Sequence, residues 1–184
     1  MLRVRTFLQR AAVAALVPLA GLACQRAHAV ERASLEAAIV YNLLQFVEWP
    51  GEAAQPAGAP VLVCLDAASP LLAELQSLEG RPVRRMKFAV RGVVAGSGDA
   101  PKSCNALYVD AEGQRKGLLA RKGALATGPV LVIGGIDAAQ DDGLTVRLAE
   151  SSGRIVFDID MKSAREAGLV VSSRLLRLAR KVTE

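Results

Sequence analysis

Between Leu35 and Val47 apolar side chains return every three or four positions. Leu35, Ile39, Leu43 and Phe46 form a stripe, Val40, Leu44 and Val47 widen it, and Glu36, Asn42 and Gln45 lie outside its centre. That period describes a helix with one broad buried face. Pro50 cannot extend a helical ladder and pushes Trp49 out of the helical region, so the pattern predicts a helix end near Val47 or Glu48. Trp49, the sole tryptophan, then lies at a corner of the domain. Its ring either packs on the core or serves as a recognition anchor.

Downstream the period changes. Val61 to Leu65 is a short apolar run bounded by turn residues and reads as a strand. Ser69 as N-cap and Pro70 at the first helical position predict a helix through Leu72 to Leu78, with Gly80 just past its end. Over Val83 to Val93, Met86, Phe88 and Val90 alternate with Arg85, Lys87, Ala89 and Arg91, as in a strand with one wet face. The basic residues there (Arg81, Arg84, Arg85, Lys87, Arg91) suit either an acidic partner or the solubility of an outer strand. Ala106 to Val109 and Pro129 to Ile133 read as buried strands, with a glycine-weakened helix over 112–122 between them. Leu144, Val146 and Leu148, then Ile155, Phe157 and Ile159, alternate on either side of a Glu150–Gly153 turn and predict a hairpin. A short helix over Lys162 to Ala167 ends at Gly168. Leu169, Val170 and Val171 extend the chain, and Ser172 or Ser173 caps a last helix whose inner face is Leu175, Leu176, Leu178, Ala179 and Val182. Alternating strands and helices of these lengths predict an α/β fold: a single compact domain, a mixed β-sheet flanked by helices, with a C-terminal β-hairpin and final helix.

Composition alters this picture at the N-terminus. Arg3, Arg5 and Arg10 precede an apolar run over 11–23 that is followed by Ala27-His28-Ala29, the layout of a secretory signal cleaved after Ala29. The run is too short to span a membrane, and Gly21 stands where a lipoprotein signal before Cys24 would carry leucine. Residues 1–29 are therefore expected to be removed, leaving a domain over 30–184 in the periplasm. The formal charge of +5 belongs mostly to the leader, which holds four arginines and no acid; residues 30–184 carry 19 basic against 18 acidic side chains. Without a basic excess, bulk charge gives no case for nucleic acid. Cleavage also removes Cys24, leaving Cys64 and Cys104 in an oxidising compartment where an even pair usually bonds. Such a bridge would stabilise by about 4 kcal/mol in the chain-entropy model. Two buried thiols that never meet are the alternative.

Catalytic equipment is sparse. The single histidine, His28, leaves with the leader, and two cysteines alone make no metal-ligand set, so neither metal nor cofactor is expected. Gly134-Gly135 follows a strand, where a glycine pair can cradle phosphate, but without the G-x-G-x-x-G spacing. Asp158 and Asp160 share one face of the hairpin and could act as an acid–base pair, although such pairs are usually solvated. An enzyme is thus not expected, whereas a small-molecule sensor is compatible with the same residues.

The signal peptide, the stretch Tyr41-Asn42-Leu43-Leu44-Gln45-Phe46-Val47-Glu48-Trp49-Pro50, the two cysteine strands, and the block from Gly168 to Ala179 together resemble the YfiR family over essentially the whole mature chain. Asn105 stands where the family often has histidine, and a second disulfide of some members has no cysteines here. The resemblance implies a periplasmic regulator that binds the periplasmic sensory region of an inner-membrane diguanylate cyclase and holds it inactive, with release favouring biofilm growth. It also implies capture by an outer-membrane lipoprotein in some members, and homodimers. Partner contacts are implied near the C-terminal end: an extended segment turns only alternate side chains inward, so one of Leu169, Val170 and Val171 should face outward beside Arg174 and Arg177. The Trp49 corner is the next candidate.

Overall fold

Five strands lie side by side in parallel, three of them continuous apolar runs and two alternating. The computed structural model describes residues 17–94, 103–111, 113, 117–118, 120, 122, 128–138 and 143–184, with side-chain environments from Glu31 onward. Helix α1 (Val17–Leu44) is followed by β1 (Val47–Glu48), β2 (Pro60–Asp66), α2 (Leu72–Gln76), β3 (Pro82–Val83), β4 (Met86–Val93), β5 (Ala106–Val109) and β6 (Leu131–Gly134). Then come β7 (Val146–Ser151), β8 (Arg154–Asp160), α3 (Met161–Glu166), β9 (Val170–Val171), α4 (Ser173–Leu178) and β10 (Lys181–Thr183). The main sheet has the order β10-β8-β7-β6-β5-β2-β4-β3, and a separate two-stranded ribbon joins β1 to β9.

Strands β4, β2, β5, β6 and β7 run parallel, so connections must cross the faces of the sheet and cover them. Accordingly β5 and β6 are buried at all four positions each. Alternate side chains feed two cores. Val63, Leu65, Ala106, Tyr108, Leu131 and Ile133 meet Val40, Leu43 and Leu44 of α1 on one face. Cys64, Leu107, Val109 and Val132 meet Cys104, Leu118, Val130 and Leu144 on the other. Antiparallel β3 and β8 flank the parallel set, and β10 lies parallel to β8 at the outer edge. The expected mixed-sheet α/β domain is the observed one. The predicted helix over 112–122 falls largely outside the described residues.

Four local expectations are corrected. Helix α1 stops at Leu44 rather than Val47 or Glu48: Gln45 and Phe46 donate to carbonyls three residues back, at 3.1 and 3.0 Å, and Val47–Glu48 then pair with β9. A ladder partner, beyond the reach of any local rule, takes these residues before Pro50 acts. The strand expected over 83–93 is a hairpin, in which Arg84 adopts φ 53 at the turn between β3 and β4. Helix α2 begins later than expected: Leu71 holds its N-cap position, and Ser69 caps the turn ahead of it, its hydroxyl accepting from the Leu71 amide at 3.3 Å while donating to Asp110 Oδ2 at 2.6 Å. The last helix ends at Leu178, because Ala179 is extended and the Arg180 amide donates to Phe157 O at 2.8 Å. Val182 therefore lies in β10, and Leu178, 67% exposed, is not on an inner face.

Candidate partner-binding surface

The C-terminal block builds its surface from a reversal. Gly168, at φ 68, takes the left-handed conformation that ends α3, and the Leu169 amide returns to Ala164 O at 2.9 Å. The chain then leaves as β9, antiparallel to β1, with Val47 opposite Val171 and Glu48 opposite Val170. The Ser172 amide donates to Phe46 O at 2.9 Å, and its hydroxyl accepts from the Arg174 amide at 3.2 Å, capping α4. Side chains alternate as an extended segment requires: Leu169 is buried, Val170 is 60% exposed, and Val171 is half-buried. On α4, Leu175 points into the core while Arg174 and Arg177 are exposed. Arg32, Arg84, Arg147, Arg165 and Arg180 each engage a carboxylate. No such pair is seen for Arg174 or Arg177 among the described residues.

Trp49 takes the packing alternative. Its ring is only 6% exposed within the core shared by α1 and the sheet, and its Nε1 donates to Asn105 O at 2.9 Å. The ring is covered rather than presented at the surface. Asn105 is itself a junction: its Oδ1 accepts from the Leu62 amide at 2.8 Å and its carbonyl from the Leu131 amide at 2.9 Å, so it ties β2, β6 and Trp49 beside the Cys104 bridge. Its position in the sequence singled it out, but its role depends on contacts across the sheet.

Beneath the ribbon lies a charged cluster that sequence reasoning missed. Arg84 donates from Nε to Glu52 Oε1 at 2.9 Å and from Nη1 to Glu48 Oε1 at 3.0 Å. Glu52 is 7% exposed, and its hydrogen bond raises the Arg84 pKa above the ordinary guanidinium value. The same turn is clamped to α1. Tyr41 Oη and Gln45 Nε2 donate to Pro82 O at 2.6 and 2.9 Å, and the Arg84 amide donates to Gln45 Oε1 at 3.1 Å.

Other residues singled out by sequence have structural employment. Cys64 and Cys104 are joined, with their Cα atoms 5.8 Å apart. Gly135 leaves room for Tyr108 Oη, which donates to the buried Glu36 Oε1 at 2.7 Å. The Tyr108 hydroxyl is held well above its usual pKa, first by burial and then by the Glu36 charge. The space at Gly135 is thus filled by a ring hydroxyl. Asp158 and Asp160 likewise have different duties. Asp158 accepts from Arg180 Nε at 2.9 Å and Arg147 Nη2 at 3.1 Å, which keeps its pKa below the ordinary carboxylate value. Asp160 caps α3 through the Lys162 and Ser163 amides.

Fold and surface together define a small α/β domain with one disulfide, an exposed valine in its ribbon and, among the described residues, two exposed arginines on α4 that pair with no carboxylate. Residues 33–180 match DUF4154, described as YfiR/HmsC-like, and the chain belongs to that family. Comparison with curated proteins gave no match. The family is regulatory and non-catalytic, periplasmic, and concerned with cyclic di-GMP signalling. Among the described residues no helix is long and apolar enough to cross a membrane.

Proposed function

We propose that the chain is exported, trimmed after Ala29, and binds the periplasmic sensory region of an inner-membrane diguanylate cyclase, holding that enzyme inactive. The contact surface is Val170 with Arg174 and Arg177, while Leu169 and Val171 support it from below. The observation that carries this reading is the 60% exposure of Val170 on a strand held in register by β1. A valine left in water costs solubility without adding to the fold, and with Arg174 and Arg177, exposed on the helix that follows and paired with no carboxylate among the described residues, it would supply an apolar centre with a basic rim. The complementary cyclase surface is apolar with acidic edges. Capture of the regulator by an outer-membrane lipoprotein would relieve the repression.

The test uses the chain from Val30, whose mass in the periplasmic fraction first checks the processing site. It is titrated against the purified periplasmic regions of the inner-membrane diguanylate cyclases of the same organism. Saturable binding to one of them, with cyclic di-GMP rising when the gene is deleted, is expected. Binding to none of them, or unchanged cyclic di-GMP on deletion, contradicts the reading.

A further inference from the structure

Arg84 stands where arginine is a poor backbone choice. At φ 53 it occupies the left-handed region, which is strained for a residue with a Cβ and which glycine or asparagine enters more easily. A non-glycine residue held there points to a duty for its side chain. The guanidinium reaches two acids on separate elements: Glu48, in β1, and Glu52, in the short turn after Pro50. Glu52 also accepts from the Trp49 amide at 3.4 Å. One of the two acids is thus the residue opposite Val170, since Glu48 is its register partner in the ribbon, and the other holds the amide of the next residue, Trp49.

The consequence follows from the size of the ribbon. Two residues per strand give too few ladder bonds to hold a register alone. Arg84 adds one charge-assisted bond to Glu48 of β1 and another to Glu52 of the turn that follows, which ties β1 and its continuation to the β3–β4 turn, and that turn is clamped to α1 by Tyr41 and Gln45. We infer that Arg84 is a positioning residue for the partner-binding strand: through Glu48 and Glu52 it fixes β1, and through β1 it fixes the outward pose of Val170. The inference rests on the surface proposed above, and it makes the sheet edge a determinant of affinity without touching the partner.

Arg84→Gly removes the guanidinium while suiting the turn better than arginine, so backbone strain does not confound the result. Arg84→Asn is a second variant that tolerates the same conformation. Amide hydrogen exchange of the free mature protein is expected to rise at least tenfold over 46–49 and 169–172 and to stay unchanged in β5 and β6. Affinity for the cyclase region should fall about five- to tenfold. Combining Arg84→Gly with Val170→Asp should weaken binding no further than Val170→Asp alone. Unchanged ribbon exchange, or a rise across the whole chain, overturns the inference. So does a loosened ribbon with full affinity in a protein whose Val170→Asp variant binds poorly, and there the proposed surface survives. If Val170→Asp binds normally, the surface itself falls, and the inference with it.

Discussion

In the main sheet, β5 and β6 are buried along their whole length between two apolar cores, and the Cys64–Cys104 bridge crosses from β2 to the start of β5. The β1–β9 ribbon has two residues on each strand, and it is fastened by Arg84, by the Ser172 amide and by the packing of Val47 and Leu169. Burial fixes the sheet without reference to any particular side-chain geometry, whereas the ribbon depends on a few directed bonds. That contrast separates two jobs. Large apolar areas supply stability, and a small, sparsely held element at the surface can present Val170 without its own burial being at stake.

Breaking the sheet should have the larger effects. Cys64→Ala or Cys104→Ala is expected to lower the unfolding free energy by about 2–5 kcal/mol. Urea unfolding measures the loss, and thiol titration of the unfolded, unreduced mature chain should find almost no free thiol. Next in size is Gly135→Ala. Its Cβ would overlap Tyr108 Oη, and overpacking of this kind costs about 1–3 kcal/mol. The shift in urea midpoint reports it, and adding Tyr108→Phe should recover part of the loss, because the worst overlap, with Oη, is gone while Cζ still crowds the new Cβ at 2.8 Å.

A smaller effect belongs to Asp158. Its folded pKa is depressed by Arg180 and Arg147, so its contribution is complete above the unfolded value of about 3.9 and is lost as pH falls through the lower folded value. Asp158→Asn should therefore melt at lower temperature than the parent at neutral pH. The gap should narrow as pH drops below about 4, and melting curves across that range check it. A gap that widened on acidification would contradict the assignment.

The two regions also differ in how far the sequence discloses them. Ala106 to Val109 and Leu131 to Ile133 are runs of apolar residues whose burial needs no partner to be inferred, and the alternation from Val146 to Ile159 shows a hairpin directly. The disulfide was legible because the expected removal of residues 1–29 would leave an even number of cysteines. The ribbon was not, since Val47 and Val171 are distant in the chain and each forms a strand only because the other is there. Leu175, Leu178 and Val182 repeat at helical spacing although the helix ends at Leu178 and Val182 joins β10; edge pairing with β8 overrides the period. Arg84 looked like one more charge in a basic strand. Only its turn and the acids at Glu48 and Glu52, brought beside it by the fold, distinguish it from Lys87 or Arg91.

The division between a stabilising sheet and a recognising ribbon is tested most directly by Val170→Asp, followed by melting temperature and by affinity for the cyclase periplasmic region on the same preparation. Exposed substitutions generally move stability by less than about 0.5 kcal/mol. A tenfold loss of affinity corresponds to about 1.4 kcal/mol. The account predicts a near-parental melting temperature with binding weakened at least tenfold. An unfolded variant, or a folded one that binds as tightly as the parent, would contradict it.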